Sequence, residues 1–283
     1  MRILIAGCGY VGCVLARILI DDGHAVWGLR RNPAVLPDGV ESIIANLTDL
    51  NSLASLPHEL DVVVYAAAAG AFDEARYRAA YVDGPRTLLA ALEAQRQRPQ
   101  RIVFASSTGV YAQDSGEWID ETSPTAPAYF SGATLLEGER VVLGGPFPAT
   151  VVRFAGIYGP GRTRLIDSVR AGTATLPVSP AYVNHIHRDD CAGILHHLMM
   201  MDNPEDVYIG VDCEPVERGE LLRWLADQLG VPGPHVATEE EPLSIRVQRG
   251  NKRCSNARIL AAGYSFRYPT YREGYGALTR NTK

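Results

Sequence analysis

Apolar and polar positions at the start of the chain alternate in a way that predicts a strand, a turn, a helix and a second strand. Arg2 to Ala6 is a short apolar run, which is typical of a buried parallel strand. Apolar residues then recur at helical spacing from Val11, and Gly23 marks the predicted end of that helix. A second apolar run, Ala25 to Leu29, follows. The pattern therefore predicts a βαβ unit at the start of the chain.

The alternation of apolar strands and amphipathic helices continues through the first half of the sequence. Further strands are predicted at Ser42–Asn46, Asp61–Tyr65, Arg101–Ala105 and Thr150–Phe154, and long helices at Tyr77–Gln97 and Ser131–Leu143. Strands that alternate with helices in this way predict an α/β fold with a doubly wound parallel sheet.

The pattern becomes irregular after Gly156. Helices are predicted at Leu165–Ala171, Asp190–Met201 and Arg218–Leu229, with one strand at Val207–Val211. These elements are too few to form an independent domain. We therefore expect a nucleotide-binding domain over residues 1–155 and a small, irregular substrate lobe made mostly of residues 156–283, with about 182–204 returning to the first domain.

Composition narrows the class of protein. The chain has 283 residues, a net charge of −5 and 46% hydrophobic residues, which is ordinary for a soluble enzyme. It has no basic stripe for nucleic acid and no apolar run long enough to span a membrane. The five cysteines are odd in number and lack metal-ligand spacing, and the first strand follows Met1 directly. We expect a cytoplasmic protein with reduced thiols, no signal peptide and no metal.

The turn after the first strand carries the pattern GxGxxG. The pattern alone is a weak signal, but between a strand and a helix it is typical of a Rossmann-type dinucleotide site. Gly7 would permit the tight turn, Gly9 the approach of a pyrophosphate, and Gly12 close packing of helix and strand. The helix N-terminus would present N–H groups to the phosphates. The predicted cofactor-binding residues here are Gly7, Cys8, Gly9, Tyr10, Val11 and Gly12; the alternative is a coincidental glycine turn.

The residues at the end of the second strand indicate which dinucleotide is bound. An NAD site uses an acidic residue about twenty positions on to hold the ribose 2′-hydroxyl. Asp21 and Asp22 come too early, in the predicted helix, and the strand instead ends in Arg30 and Arg31. Guanidinium groups suit a 2′-phosphate. NADP(H) is therefore the first choice and NAD(H) the second, the alternative being that the arginines are plain surface charge.

Small residues follow the strand predicted at Asp61–Tyr65. Ala66, Ala67 and Ala68 would leave room for a ligand across the carboxyl edge of the sheet, where open α/β folds bind their ligands. A packing seam of small residues explains the same stretch equally well.

Several motifs in order along the chain resemble one known family. The stretches GCGYVG, VVVYAAA, IVFASSTGVY, ETSPTAPAY, VVRFAGIYGPGR and NHIHRDD are similar to those of the extended and atypical short-chain dehydrogenase/reductases, the NAD-dependent epimerase/dehydratase group. The glycine pattern is GxGxxG rather than the TGxxGxxG of most active members, which resembles the atypical branch.

The resemblance implies a catalytic set. Ser107 matches the serine that binds the substrate oxygen, and Tyr129 matches the tyrosine that passes the proton. Gly156 and Ile157 match a turn that borders the nicotinamide, and His187 with Asp190 matches a structural hydrogen-bonded pair. The family also has a lysine four residues after the tyrosine, and that position is Ala133 here.

The missing lysine changes the expected chemistry. A tyrosine ionises near pH 10, so an unassisted phenolate is scarce at pH 7, and a nearby ammonium is the direct way to lower that pKa. Either Tyr129 acts as a neutral acid, or another cation such as Arg140 or Arg153 assists it, or the site binds without turnover. Tyr129 could also be a purely structural buried tyrosine.

These observations lead to two functional hypotheses. The first is an NAD(P)-dependent oxidoreductase or epimerase acting on a hydroxyl or keto group of a small polar substrate, with a nucleotide-sugar as the class that the resemblance implies. The second is a catalytically impaired NADP(H)-binding sensor or regulatory protein. Relatives often form homodimers through helices that correspond to Tyr77–Gln97 and Ser131–Leu143. The sequence does not identify the substrate.

Overall fold

The computed structural model describes residues 1–32, 36–236 and 251–280. Its strands are β1 (Arg2–Ala6), β2 (Ala25–Arg30), β3 (Glu41–Ile44), β4 (Val62–Tyr65), β5 (Arg101–Ser107), β6 (Trp118–Ile119), β7 (Ala149–Phe154), β8 (Gly156–Tyr158), β9 (Thr175–Leu176), β10 (Tyr182–Val183), β11 (His185–His187), β12 (Val207–Gly210), β13 (Val216–Glu217), β14 (His235–Val236) and β15 (Arg253–Cys254). The helices are α1 (Gly12–Asp21), α2 (Glu74–Arg78), α3 (Gly84–Ala94), α4 (Phe130–Leu143), α5 (Arg164–Arg170), α6 (Arg188–Met200), α7 (Arg218–Leu229), α8 (Ala257–Ala261) and α9 (Tyr271–Arg280).

Seven strands form the central sheet in the order β12-β7-β5-β4-β1-β2-β3. The pairings from β7 across to β3 are all parallel. The chain moves outward in one direction from β1 to β3 and then returns to add β4 on the other side of β1. This reversal is the topological switch point, where doubly wound sheets bind ligands at the carboxyl ends of their strands. The predicted α/β fold with a doubly wound parallel sheet is therefore confirmed.

The long helix predicted at Tyr77–Gln97 is interrupted in the structure. A π-helical turn over Ala79–Asp83 separates α2 from α3. The Tyr65 hydroxyl donates a 2.6 Å hydrogen bond to the carbonyl of Ala80 within this turn, and Pro85 supplies no N–H to the ladder. Helical periodicity predicts the helix but carries no signal for a tyrosine that reaches it from a distant strand.

The chain divides into two compact units. Unit 1 contains Met1–Tyr111, Thr125–Phe154 and Cys191–Tyr208, and unit 2 contains Ala112–Pro124, Ala155–Asp190 and Ile209–Lys283. The core of unit 1 includes Leu4, Val63, Phe104 and Val151 from the sheet with Leu88 and Leu92 from α3. The core of unit 2 is formed by α5, α7 and α9 around Tyr158, Leu221, Leu225 and Tyr271. The cofactor and substrate roles predicted for the two parts stay predictions.

Candidate functional site

The turn after β1 can be built only with glycine at its first position. Gly7 has a φ of +91°, which L side chains rarely adopt. A Cβ atom at Gly7 would also overlap the backbone of Ala67, which follows β4. The amides of Gly7 and Cys8 donate to the carbonyl of Leu29, at 3.0 and 3.2 Å, and so tie the turn to β2. The turn is thus fixed by both neighbours of β1 at the switch point.

The other two glycines of the pattern differ in their surroundings. A Cβ at Gly12 would lie 3.0 Å from Ile5 Cγ2, so this glycine lets α1 pack closely on β1. Among the residues that the structure describes, a Cβ at Gly9 would have only the Gly7 carbonyl oxygen within 4 Å, at 3.8 Å. The space in front of Gly9 is therefore open, which is what the approach of a pyrophosphate to the backbone requires.

The start of α1 offers hydrogen-bond donors to an anion. Val11 is the N-cap residue and has no side-chain cap hydrogen bond. Within the described part of the chain, the amides of Val11 and Gly12 donate to no protein acceptor. Unused N–H groups at a helix start, together with the positive end of the helix dipole, suit a phosphate.

Two cysteines lie within this turn and the first turn of α1. Cys8 is fully buried, and its Sγ lies 4.0 Å from Sγ of Cys13. The hydrogen bond with Cys13, together with burial, raises the pKa of the Cys8 thiol, and the charge of Arg30 opposes that rise. Arg30 therefore lies close enough to the glycine turn for its charge to act there. Tyr10, between the two cysteines, is half-buried.

The arginines and alanines predicted as cofactor residues lie at carboxyl ends of strands flanking β1. Arg30 ends β2 and is half-buried, whereas Arg31 is exposed. Ala66 and Ala67 are half-buried after β4 and Ala68 is exposed. The Ala66 amide donates to the Ala6 carbonyl at 2.8 Å, which holds this stretch beside the end of β1. The structure therefore brings Ala66 and Ala67 to the glycine turn.

Ser107 is the last residue of β5 and caps the turn that follows it. Its Oγ accepts a 3.2 Å hydrogen bond from the Gly109 amide. We call residues 107–110 the Ser107 turn. The N-terminal end of α4 packs directly on this turn, because a Cβ at Gly132 would overlap the Gly109 carbonyl oxygen. The elements that carry Ser107 and Tyr129 are therefore in contact.

Tyr129 immediately precedes α4 and is 43% exposed. Its carbonyl accepts a 3.0 Å hydrogen bond from the Ala133 amide. Ala133 itself lies on the exposed face of α4. The suggestion that Tyr129 is a buried structural tyrosine is therefore wrong, and position 133 offers no cation from any side chain.

A buried polar network next to the Ser107 turn was not anticipated as a group. Glu139 on α4 forms an ion pair with Arg153 on β7, with Nη2–Oε2 and Nε–Oε1 distances of 2.6 and 3.0 Å. Ser106 Oγ donates to Glu139 Oε1 at 2.5 Å, and Arg153 Nη1 donates to the Tyr111 hydroxyl at 2.7 Å. We call these four residues the buried quartet.

The buried quartet decides the role of one arginine considered as a substitute for the lysine. Arg153 directs its guanidinium to Glu139 and Tyr111. Burial lowers the pKa of Arg153, but the hydrogen bond and the charge of Glu139 outweigh burial and hold that pKa above its usual value. Arg140, the other arginine considered, is exposed. Two features of the sequence could have indicated the quartet. Arg153 is the one charged residue in the apolar strand ATVVRF, and Glu139 lies on the inner face of α4, which is otherwise largely apolar.

The remaining predicted residues belong to unit 2. Gly156 and Ile157 lie on β8, which pairs in parallel with β11 so that Ile157 is opposite Ile186. Gly156 is exposed and Ile157 half-buried. Tyr158 is 3% exposed, and its ring stacks on that of Tyr275 with centroids 4.1 Å apart.

The expected hydrogen bond between His187 and Asp190 is wrong. His187 Nδ1 accepts from the Asp189 amide at 3.2 Å. Asp190 instead accepts from the Tyr264 hydroxyl and from the amides of Arg267 and Tyr268, at 2.9, 2.7 and 3.0 Å. Asp190 therefore anchors the segment before α9, a long-range contact that the local HxxD spacing could not indicate.

Among the described residues, unit 2 also contains buried polar atoms that have no hydrogen-bond partner. Besides Gln113 Oε1, they are the Tyr158 hydroxyl, His185 Nδ1, Asp212 Oδ2 and Arg218 Nε, and we call the last four residues the unpaired cluster. Burial raises the pKa of Asp212 to about 8, although the Glu214 amide donates to its other oxygen. Burial, with the charge of Arg218, lowers the pKa of His185 to about 4.

The arrangement of potential metal ligands and the character of the helices bear on the class of protein. Among the described residues, no group of three or more His, Cys, Asp or Glu side chains is arranged to hold a metal ion. No helix in the described ranges combines the length and the apolar character needed to cross a bilayer.

Comparison with known proteins gives a consistent result. The family model described as "NAD dependent epimerase/dehydratase family" matches residues 3–210. A 3β-hydroxysteroid dehydrogenase/Δ5→4-isomerase of Mycobacterium tuberculosis is 28% identical over 265 residues, covering 82% of this chain and 70% of that protein. A solved structure from Methylobacillus flagellatus, described as an NAD-dependent epimerase/dehydratase, is 42% identical, with a TM-score of 0.83 and coverage of 99% and 98% of the two chains.

Two more distant solved structures share the fold. MoeE5 in complex with UDP-glucose and NAD is 21% identical, with a TM-score of 0.81 and coverage of 100% and 98%. The human epimerase family protein SDR39U1 with NADPH is 22% identical, with a TM-score of 0.80 and coverage of 99% and 100%. Proteins of this fold thus include both NAD and NADPH binders.

Proposed function

The chain belongs to the NAD-dependent epimerase/dehydratase family, and from that premise we propose that it is an NADP(H)-dependent oxidoreductase or epimerase. The substrate we propose is a small polar molecule with a hydroxyl or keto group, of the nucleotide-sugar class. The observation that carries the proposal is the glycine turn at the switch point, which excludes side chains at Gly7 and leaves open space at Gly9.

The cofactor would be held by the residues around this turn. The amides of Val11 and Gly12 at the start of α1 suit the pyrophosphate, and Ala66 to Ala68 leave room beside it. The guanidinium of Arg30 at the end of β2, with that of Arg31, suits the 2′-phosphate that distinguishes NADP(H) from NAD(H). The nicotinamide supplies hydride chemistry when bound.

Two side chains would act on the substrate in this proposal. Ser107 would donate a hydrogen bond to the reacting oxygen and orient it, and the Tyr129 hydroxyl would give or take the proton of that oxygen. Because position 133 carries no ammonium, Tyr129 would work best as a neutral acid, in the direction that reduces a keto group.

A second candidate function rests on Ala133. A protein that retained the glycine turn but lost the lysine could bind NADP(H) and signal its presence to a partner without turnover. The residue at position 133 favours this candidate, because alanine carries no charge in place of the lysine.

Cofactor binding is tested by isothermal titration with NADPH and with NADH. We expect tighter binding of NADPH, and Arg30→Ala should lower the NADPH affinity at least about tenfold while leaving that for NADH nearly unchanged. Gly7→Ala should abolish binding of both. Gly23→Ala is the matched control, since Gly23 also has a positive φ, of +80°, but has nothing within 4 Å of its would-be Cβ. Tighter binding of NADH would contradict the NADP(H) assignment.

Turnover separates the two candidate functions. The native protein and Tyr129→Phe are mixed with NADPH and a panel of keto nucleotide-sugars, with a 3-ketosteroid as the comparison substrate. Oxidation of NADPH that Tyr129→Phe abolishes supports the enzyme. Binding of NADPH without turnover of any substrate, unchanged by the substitution, supports the sensor. Turnover of the steroid alone would overturn the nucleotide-sugar class.

Two smaller proposals concern the state of the protein. We propose a cytoplasmic location, since the five cysteines form no disulfide bonds with one another. We also propose a homodimer through α2, α3 and α4, because aromatic residues cluster where α2 and α4 begin, with Phe72 before α2, Tyr77 on α2 and Phe130 at the start of α4. Phe72, 57% exposed, contacts Phe130 with ring centroids 4.8 Å apart. Sedimentation of the native protein tests the dimer, and a monomer at micromolar concentration would contradict it.

A further inference from the structure

The buried quartet connects to both sides of the Ser107 turn. Ser106 immediately precedes the turn, and Tyr111 immediately follows it. Both bonds lead to one ion pair, because Ser106 binds Glu139 and Tyr111 binds Arg153. All four residues are at most 7% exposed. The turn that carries the proposed substrate-binding serine is thus held at both ends from inside unit 1.

The pairing of β5 with β7 explains how one ion pair reaches both ends. Ser106 lies opposite Arg153 in the parallel register, so their side chains leave the sheet on the same face, toward Glu139 on α4. Side chains alternate along an extended strand. Fixing the Ser106 side chain on that face therefore also fixes the direction in which Ser107 leaves the strand.

Stability alone does not account for this arrangement. A buried ion pair often contributes less than apolar residues of the same volume, because two charges must first be removed from water. Here the charges have additional partners, and those partners are the two residues that flank the Ser107 turn. Fully satisfied buried networks make the local structure rigid, and catalytic groups need such support to hold their geometry.

We propose that Glu139 and Arg153 are positioning residues that hold Ser107 in its reactive orientation by binding Ser106 and Tyr111. The catalytic part of this inference rests on the proposed function of Ser107. Neither Glu139 nor Arg153 contacts the substrate in this account. They act only through the Ser107 turn.

The first test measures the turn itself and needs no activity. Ser106→Ala and Tyr111→Phe each remove one hydroxyl and leave the ion pair, so that both variants should fold. We expect amide exchange of residues 107–111 to rise about tenfold in each, with exchange of β1 unchanged. Tyr208→Phe is the matched control, because it removes another buried hydroxyl of unit 1, which accepts a 3.0 Å bond from the Glu205 amide. Unchanged exchange of the turn in Ser106→Ala and Tyr111→Phe would overturn the proposal.

The second test uses a double-mutant cycle with Ser107→Ala. Tyr111→Phe should lower kcat about ten- to a hundredfold, with KM and the NADPH affinity nearly unchanged. In the Ser107→Ala background it should lower kcat no further, since the group that it positions is gone. Additive losses would show a merely structural role and overturn the positioning account.

The two tests separate this inference from the proposed function. If the native protein turns over no substrate of the panel, the proposed function fails, while the exchange measurement still decides whether the ion pair holds the turn. If the native protein is active and Tyr111→Phe changes neither kcat nor exchange, the proposed function stands and the inference is overturned.

Discussion

The buried quartet of unit 1 and the unpaired cluster of unit 2 differ in how their polar groups are satisfied. In unit 1, Glu139 and Arg153 are buried as a pair, and each has further hydrogen bonds to a neighbouring side chain. In unit 2, Tyr158, His185 and Asp212 each have a buried polar atom that no group in the described part of the chain satisfies. A buried polar atom without a partner is costly, whereas a satisfied network fixes one geometry.

The difference shows that buried ionisable residues behave differently when they have partners and when they do not. The ion pair of unit 1 has a further hydrogen-bond partner at each end, Ser106 on Glu139 and Tyr111 on Arg153. The groups of unit 2 respond to burial by changing their protonation, as the raised pKa of Asp212 and the lowered pKa of His185 indicate. The buried quartet is thus expected to be rigid, and the unpaired cluster of unit 2 to be sensitive to pH.

The largest expected effect comes from breaking the ion pair of unit 1. Arg153→Met should leave the Glu139 carboxylate buried without its cation and lower the free energy of unfolding by about 3–5 kcal/mol. The double variant Glu139→Leu/Arg153→Met should recover most of that loss, because no isolated charge remains. Urea unfolding followed by circular dichroism measures both. A loss below about 1 kcal/mol in Arg153→Met would show that the pair is not desolvated.

The next effect concerns Asp212, and its sign follows from the raised pKa. The folded state keeps a proton that the unfolded chain releases near pH 4, so the free energy of unfolding falls as pH rises above that value. The stabilising contribution of this proton is lost as pH passes the folded pKa of Asp212, about 8. Between pH 6.5 and 8 the fall should reach about 1–2 kcal/mol. Asp212→Asn should remove this slope and be the more stable protein at pH 8. A slope unchanged in Asp212→Asn would assign it to another group.

His185 provides the opposite slope on the acid side. Its folded pKa of about 4 lies below the ordinary value, so its contribution to stability is present above pH 6.5 and is lost as pH falls toward 4. Asp212 masks this loss in the native protein, and the measurement therefore uses the Asp212→Asn background. There, His185→Phe should reduce the acid slope without removing it, because His187, with a folded pKa of about 4, contributes a slope of the same sign. No reduction would mean that His185 is already protonated or solvated.

The sequence predicts the sheet well because its strands are short apolar runs, and the glycine turn because its geometry depends on local backbone freedom. Gly7 needs a positive φ wherever such a turn occurs, so its role could be predicted without the structure. The π-helical turn, by contrast, depends on Tyr65 reaching Ala80 from another element. Likewise, Glu139 and Arg153 could be noted as charges on apolar surfaces, but their pairing follows from how α4 lies on β7.

The burial of the unpaired cluster could not be predicted for the same reason. Asp212 and Tyr158 are distant in sequence, and nothing in their local pattern distinguishes them from solvent-exposed residues. The HxxD pattern shows the opposite error, since its spacing indicated a local pair while Asp190 bonds to residues more than seventy positions on. Local patterns thus predict elements and turns, and long-range hydrogen bonds must be observed.

The smallest expected effect compares one buried tyrosine from each unit. The hydroxyl of Tyr65 in unit 1 donates a 2.6 Å hydrogen bond, whereas that of Tyr158 in unit 2 has no hydrogen-bond partner within residues 1–32, 36–236 and 251–280. Tyr65→Phe should therefore lower the free energy of unfolding by about 1 kcal/mol. Tyr158→Phe should change it by less than about 0.5 kcal/mol or raise it, because it removes only an unsatisfied group. Measured side by side at pH 7, equal losses would mean that the hydroxyl of Tyr158 is satisfied in solution, and the contrast between the two units would then rest on Asp212 and His185 alone.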